Sequence, residues 1–85
     1  MSTPSTNAWI YAVAAVFFLG VGLRDLGLGG DPDLLDAAWE LTFATANGLF
    51  VWLHRGGPAW TKPIGTALFA AGIAGALASI VLDAA

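Results

Sequence analysis

Three long apolar runs alternate with two short polar connections along the chain. Ala8 to Leu23 carries no charge and is followed by Arg24-Asp25 and the glycine-rich stretch Gly27 to Gly30, with Leu26 and Leu28 lengthening it slightly. Ile64 to Leu82 is uncharged over 19 residues, which at the helical rise covers roughly 28 Å, close to the hydrocarbon thickness of a bilayer. The middle run, Leu34 to Leu53, is of similar length but holds Asp36 and Glu40, so its status decides the fold.

Boundary residues favour a helix there. Asp31 is a good N-cap, Pro32 suits a first helical residue that needs no N–H donor, and Asp33 suits the positive dipole end. His54 and Arg55 suit the carbonyl end, and Gly56-Gly57-Pro58 stops the helix. Thr61 and Pro63 open the third helix, and Thr6 or Asn7 caps the first. The pattern predicts helices over about 8–26, 32–54 and 63–82 after a short polar tail, 1–7. Short connections make sequential helices antiparallel. The expected fold is all-α, an integral membrane three-helix up-down-up bundle forming a single transmembrane domain over 1–85.

Composition agrees with that solvent. The chain is 58% hydrophobic and 11% charged, with a mean hydropathy of +0.76, whereas about a quarter of residues are charged in soluble domains. So short a chain has difficulty burying that much apolar surface in an aqueous core. No cysteine is present, which excludes disulfides and thiolate metal sites, and the net charge of -3 has the wrong sign for a nucleic-acid binder. The first run lacks the basic flank of a secretory signal, so cleavage is not expected.

Lys and Arg accumulate on the cytoplasmic side of short loops. Arg55 and Lys62 lie in the second connection, while Arg24 stands among Asp25, Asp31 and Asp33 in the first. The expected arrangement is a cell (plasma) membrane protein with its N-terminus cytoplasmic and its C-terminus outside. Trp9, Trp52 and Trp60 then fall at the cytoplasmic boundary and Trp39 near the other, as interfacial anchors.

In the middle helix Asp33, Glu40, Asn47 and His54 recur every seven residues, so they share one narrow stripe, with Asp36 beside it. A carboxylate costs several kcal/mol, as an order of magnitude, when exposed to hydrocarbon, so the stripe faces protein or water. Two readings stay open. In the first, Glu40 reaches water or pairs with Arg24, and Asn47 hydrogen-bonds across to a neighbouring helix and fixes register. In the second, Asp36, Glu40, Asn47, His54 and Arg24 form an ion pathway in an oligomeric proton or cation channel. Haem or pigment ligation through His54 is a weaker third idea, without a second ligand to support it.

The third helix is rich in small residues. Ala67, Ala71, Ala74 and Ala78 form one seam, Gly65, Gly72 and Ser79 a second stripe, and Ala71 and Gly75 a small-xxx-small pair. Small residues on more than one face exceed the needs of an internal bundle and suggest another subunit. No nucleophile–base set can be assembled from the sequence, and Gly27 to Gly30 lacks a phosphate-loop context. Asp31, Asp33 and Asp36 near Glu40 lack the calcium-loop pattern and suit a helix N-terminus instead. The chain is expected to be no enzyme, with no cofactor and no metal, and to act as a structural or accessory subunit. Its expected partners are the lipid bilayer and a homo-oligomer or larger membrane complex, joined through Ala67, Ala71, Gly72, Ala74, Gly75 and Ala78; no nucleic acid is involved.

Overall fold

The computed structural model describes residues 3–28 and 30–84, with side chains from residue 8 onward. Three α-helices follow in order, α1 (Thr3–Leu23), α2 (Leu34–His54) and α3 (Thr61–Ala84), with no strand among the described residues. Ala8–Leu28 and Thr61–Ala84 are both long and apolar enough to cross a membrane.

The helix ends differ from the sequence expectation for identifiable local reasons. α1 begins at Thr3, so Thr6 and Asn7 lie within it and not at its cap. Pro4 stands in the first turn, where a missing N–H removes no helical bond. The helix ends at Leu23, and Arg24–Leu28 winds into a wider π-type turn broken at Gly27, whose φ of 117° is a left-handed value that favours glycine.

α2 starts at Leu34 and not at Pro32, because Asp33 is the residue that caps it. The Asp33 backbone is extended and its Oδ1 accepts from the Asp36 N–H at 3.1 Å. Its own N–H donates to the Asp25 carbonyl at 2.7 Å, which ties the loop back to the end of α1. Beyond His54 the chain turns through Gly56 at φ 92°, and the Gly57 N–H donates to the Trp52 carbonyl at 2.8 Å. α3 begins two residues earlier than expected, at Thr61. The fully buried Thr61 hydroxyl donates to the Pro58 carbonyl at 2.7 Å and closes the entry turn.

α2 is the central element: α1 and α3 each pack on it, and their backbones do not approach one another. α3 meets α2 through notches that lack side chains. A Cβ at Gly65 would stand 3.1 Å from the Phe50 ring, one at Gly72 3.1 Å from the Phe43 ring, and one at Gly75 2.6 Å from Trp39 Cβ. Two heptad steps up α3, from Gly65 through Gly72 to Ser79, match two heptad steps back along α2, from Phe50 through Phe43 to Asp36. This is the regular register of an antiparallel pair.

The α1 contact keeps the same step. Tyr11 stacks on Phe50 with ring centroids 5.2 Å apart, and Phe18 lies 5.2 Å from Phe43. Gly22 lets the Leu41 side chain close on α1. Phe69 of α3 completes the aromatic column, 5.5 Å from Phe43 and 5.4 Å from Phe50. Such ring pairs add about 0.5–1.5 kcal/mol each beyond area burial.

The buried apolar residues are Ala37 and Ala46, whereas Glu40, Asn47, Thr61 and Ser79 are buried polar ones. Trp9, Val16, Phe17, Ile80, Val81 and Leu82 are exposed.

The glycine register makes a direct prediction. Gly72→Leu drives a side chain into the Phe43 ring and should destabilise the fold by roughly 1–3 kcal/mol. Gly20→Ala meets nothing within 4 Å and should lose no stability. Helical circular dichroism during denaturant titration in mild detergent measures both. Equal stability of Gly72→Leu and wild type would refute the α2–α3 packing.

Candidate functional site

The polar residues of α2 divide between two ends of the molecule. At one end the last turn of α1, the first turns of α2 and the last turns of α3 converge. Asp36 there accepts two side-chain hydrogen bonds on Oδ1, one from the Trp39 indole N–H at 2.9 Å and one from the Ser79 hydroxyl. The Ser79 bond crosses from α3 to α2 at the position that continues the Gly65–Gly72 register. Trp39 is half-buried, and its ring lies edge-on to Phe18 and Phe43.

Glu40 stands one turn further along. It is 7% exposed, and its Oε1 is buried without a hydrogen-bond partner among the described residues. Its charged neighbours are Asp25, Asp36 and Arg24. The pair with Arg24, one of the two outlets expected for Glu40, is not among the ion pairs of the described residues. Arg24 Nε lies 3.6 Å from Asp25 Oδ1, and its side chain is largely exposed. The adjacent position after Leu23 holds the guanidinium at the rim, where it pairs with its neighbour and remains hydrated.

Asn47 also departs from expectation. It is 3% exposed, yet its Nδ2 donates to the Phe43 carbonyl of its own helix at 2.8 Å and so forms no interhelical tie through that group. The interhelical polar tie is Ser79–Asp36 instead. Asp33 is the exposed α2 cap and lies outside the helical stripe.

At the opposite end of α2 the His54 ring packs 5.3 Å from Tyr11, and its Nδ1 lies 2.8 Å from the Phe50 carbonyl. A carbonyl only accepts, so Nδ1 is the donor in this contact. Trp52 and Trp60 meet edge to face at 5.5 Å at this end, beside Arg55 and Lys62. His54, at the end of α2, and Ser79 of α3, which meets the start of α2, thus lie towards opposite ends of the helix pair. No group of three or more His, Cys, Asp or Glu side chains among the described residues is arranged to hold a metal ion.

The small residues of α3 separate into two faces. Gly72 and Gly75 pack on α2, whereas Ala67, Ala71, Ala74 and Ala78 are all exposed. Asp25 and Ser79 are the site members that the stripe on α2 leaves out. The heptad from Gly72 to Ser79 carried a signal for Ser79, since it continues the row facing α2. Asp25 lies in the π-type turn that continues α1, outside the heptad row of α2.

No protein-family model matches this chain, and no curated protein or solved structure matches it either.

The Ser79–Asp36 bond is testable by a double-mutant cycle. Ser79→Ala should cost about 1 kcal/mol, the scale of interhelical hydrogen bonds in membrane proteins. The same change made on an Asp36→Ala background should cost much less. Additive losses in detergent unfolding would show that the two side chains do not interact.

Proposed function

We propose that this chain is a small integral membrane protein whose three helices cross the bilayer up-down-up. It acts as a structural or accessory subunit by associating along the outer face of α3. The observation that carries this reading is the division of small residues: the Gly65–Gly72–Ser79 row is used up against α2, and the Ala67–Ala71–Ala74–Ala78 seam is left on the surface. In lipid, association relies on close backbone approach and dispersion, which small side chains permit. A seam of one residue type is self-complementary, so the favoured occupant is the same seam on a second copy related by a two-fold axis.

Lipid as the surrounding solvent is supported by the exposed aliphatic and aromatic surface and by two helices of spanning length. α2, at 21 residues, is roughly 31 Å long by its rise and follows the same path. Its carboxyls lie against neighbouring helices. The exposed Arg55 and Lys62 with Trp52 and Trp60 define the cytoplasmic end, and the acidic end lies outside.

The conduction reading receives less support. The Asn47 amide nitrogen and His54 Nδ1 both turn back to carbonyls of α2, which takes those two groups out of a relay along the stripe. Ligand binding through His54 gains no support from a group of three or more His, Cys, Asp or Glu side chains among the described residues.

Ala71→Leu should leave unfolding stability unchanged while reducing the dimer fraction severalfold, as measured by analytical ultracentrifugation in mild detergent. Gly72→Leu should instead act on stability first. A wild type that sediments as a single chain would refute self-association, and co-purifying proteins would then name a larger complex. The membrane path has its own check: single cysteines at Asp31 and Arg55 should react with an impermeant thiol reagent from opposite sides of sealed vesicles. Labelling of both from one side would refute the crossing of α2.

A further inference from the structure

Charge is divided along the axis of α2. The six acidic residues, Asp25, Asp31, Asp33, Asp36, Glu40 and Asp83, lie towards the end where α1 finishes and α2 begins, because α3 runs antiparallel to α2 and brings Ser79 to Asp36. Arg55 and Lys62 stand at the opposite end, on the turn between α2 and α3. Arg24 is paired with Asp25. Arg55 and Lys62 are exposed, and neither side chain forms an ion pair or donates a hydrogen bond among the described residues.

The turn that carries them is held by its own contacts and needs neither cation. The N–H groups of Arg55, Gly56 and Gly57 donate to carbonyls of the last turns of α2 at 2.8 to 3.2 Å, so the guanidinium is not required to satisfy that helix end. Trp52 meets Trp60 edge to face, and the Trp52 ring closes over Gly57, where a Cβ would stand 2.7 Å from its Cδ1. The Thr61 hydroxyl fixes the entry of α3 on the Pro58 carbonyl. Both Trp rings are about half exposed, and their indole N–H groups, unlike that of Trp39, donate to no atom of the described residues.

One ordered turn thus offers two uncompensated cations, two indole donors and two half-exposed rings to its surroundings. A phosphodiester suits the polar members, since a guanidinium matches two phosphate oxygens at once and an ammonium adds a point charge. Helices in contact lie about 8–10 Å apart, so two long side chains on adjoining helix ends can meet at one phosphate group. The rings select the source of that phosphate. An inorganic ion uses the cations alone, whereas a phospholipid also lays its glycerol and upper acyl carbons on the Trp rings, the amphipathic setting of a bilayer interface.

We infer that the α2–α3 turn binds the headgroup of one anionic phospholipid, with its phosphate between Arg55 and Lys62 and its glycerol against Trp52 and Trp60. The site depends on the bilayer crossing of α2 and α3 proposed above, and not on whether the Ala seam of α3 meets a partner.

Trp quenching by phospholipids brominated high on the acyl chain tests it. The full chain is placed in phosphatidylcholine vesicles that contain a small fraction of brominated phosphatidylglycerol or the same fraction of brominated phosphatidylcholine. Wild type should be quenched more by the phosphatidylglycerol, and this preference should fall about fivefold in either Arg55→Gln or Lys62→Gln, the scale of one basic residue at an anionic lipid surface. Arg24→Gln, which removes a cation paired with Asp25 at the other end, should keep the preference. Inorganic phosphate at constant ionic strength should not displace the lipid. Both Gln variants at the turn alter exposed side chains and should retain wild-type helical circular dichroism. Wild type that floats with the vesicles but is quenched equally by the two lipids would overturn the site alone. So would a preference unchanged in both turn variants, one lost equally in Arg24→Gln, or one abolished by inorganic phosphate. Wild type that does not float with the vesicles would overturn the bilayer crossing and the site with it.

Discussion

The contact between α2 and α3 depends on side chains that are not there. Gly65, Gly72 and Gly75 let the backbone of α3 come down on Phe50, Phe43 and Trp39, and a single methyl at any of the three meets a ring or a β-carbon. That approach sets the distance at which Ser79 reaches Asp36. It also fixes the rotation of α3, because the row of glycines can face only one way. The Ala seam is consequently turned outwards. Internal packing and external association are therefore separate properties of one helix, carried by residues that alternate along it.

Aromatic rings fill the space that the glycines open. Phe43 and Phe50 are contacted from both sides, by Phe18 and Tyr11 of α1 and by Phe69 of α3. One column of rings thus couples α1 to α3 although their backbones remain apart. The polar groups that remain inside are satisfied in two ways. Asn47 and His54 bond to carbonyls one turn back on their own helix, a local solution that makes no demand on the partner helices. Asp36 is satisfied across the helix pair and so depends on register. Glu40 is satisfied by neither device, which makes it the chemically open position of the interior.

The charge distribution follows the same axis. Carboxyl groups gather where α2 presents its N–H groups, and Arg55 and Lys62 lie near its carbonyl end, each sign complementing the helix dipole. This arrangement explains most of the acidic end without a ligand. Glu40 is the exception, because it is too far into the helix for the exposed N–H groups of the first turn to serve it.

What the sequence determined by itself is what periodicity and composition encode. Three helices, their antiparallel order and the end of α2 at His54 are legible in uninterrupted apolar runs and in glycine–proline breaks. The heptad row of Glu40, Asn47 and His54, with Asp36 beside it, is equally legible, since helical spacing is a property of the chain alone. Helix starts were less so: the pattern names Asp31 as the cap of α2, whereas the loop that closes on the Asp25 carbonyl leaves Asp33 extended as the cap. Tertiary structure alone decided which face of α3 meets α2, that Arg24 pairs with Asp25 and not Glu40, and that Trp39 and Ser79 converge on Asp36. The reason is physical: a helix offers several faces of nearly equal character, and only the steric fit of rings into glycine notches, together with a left-handed turn at Gly27, selects the one that packs.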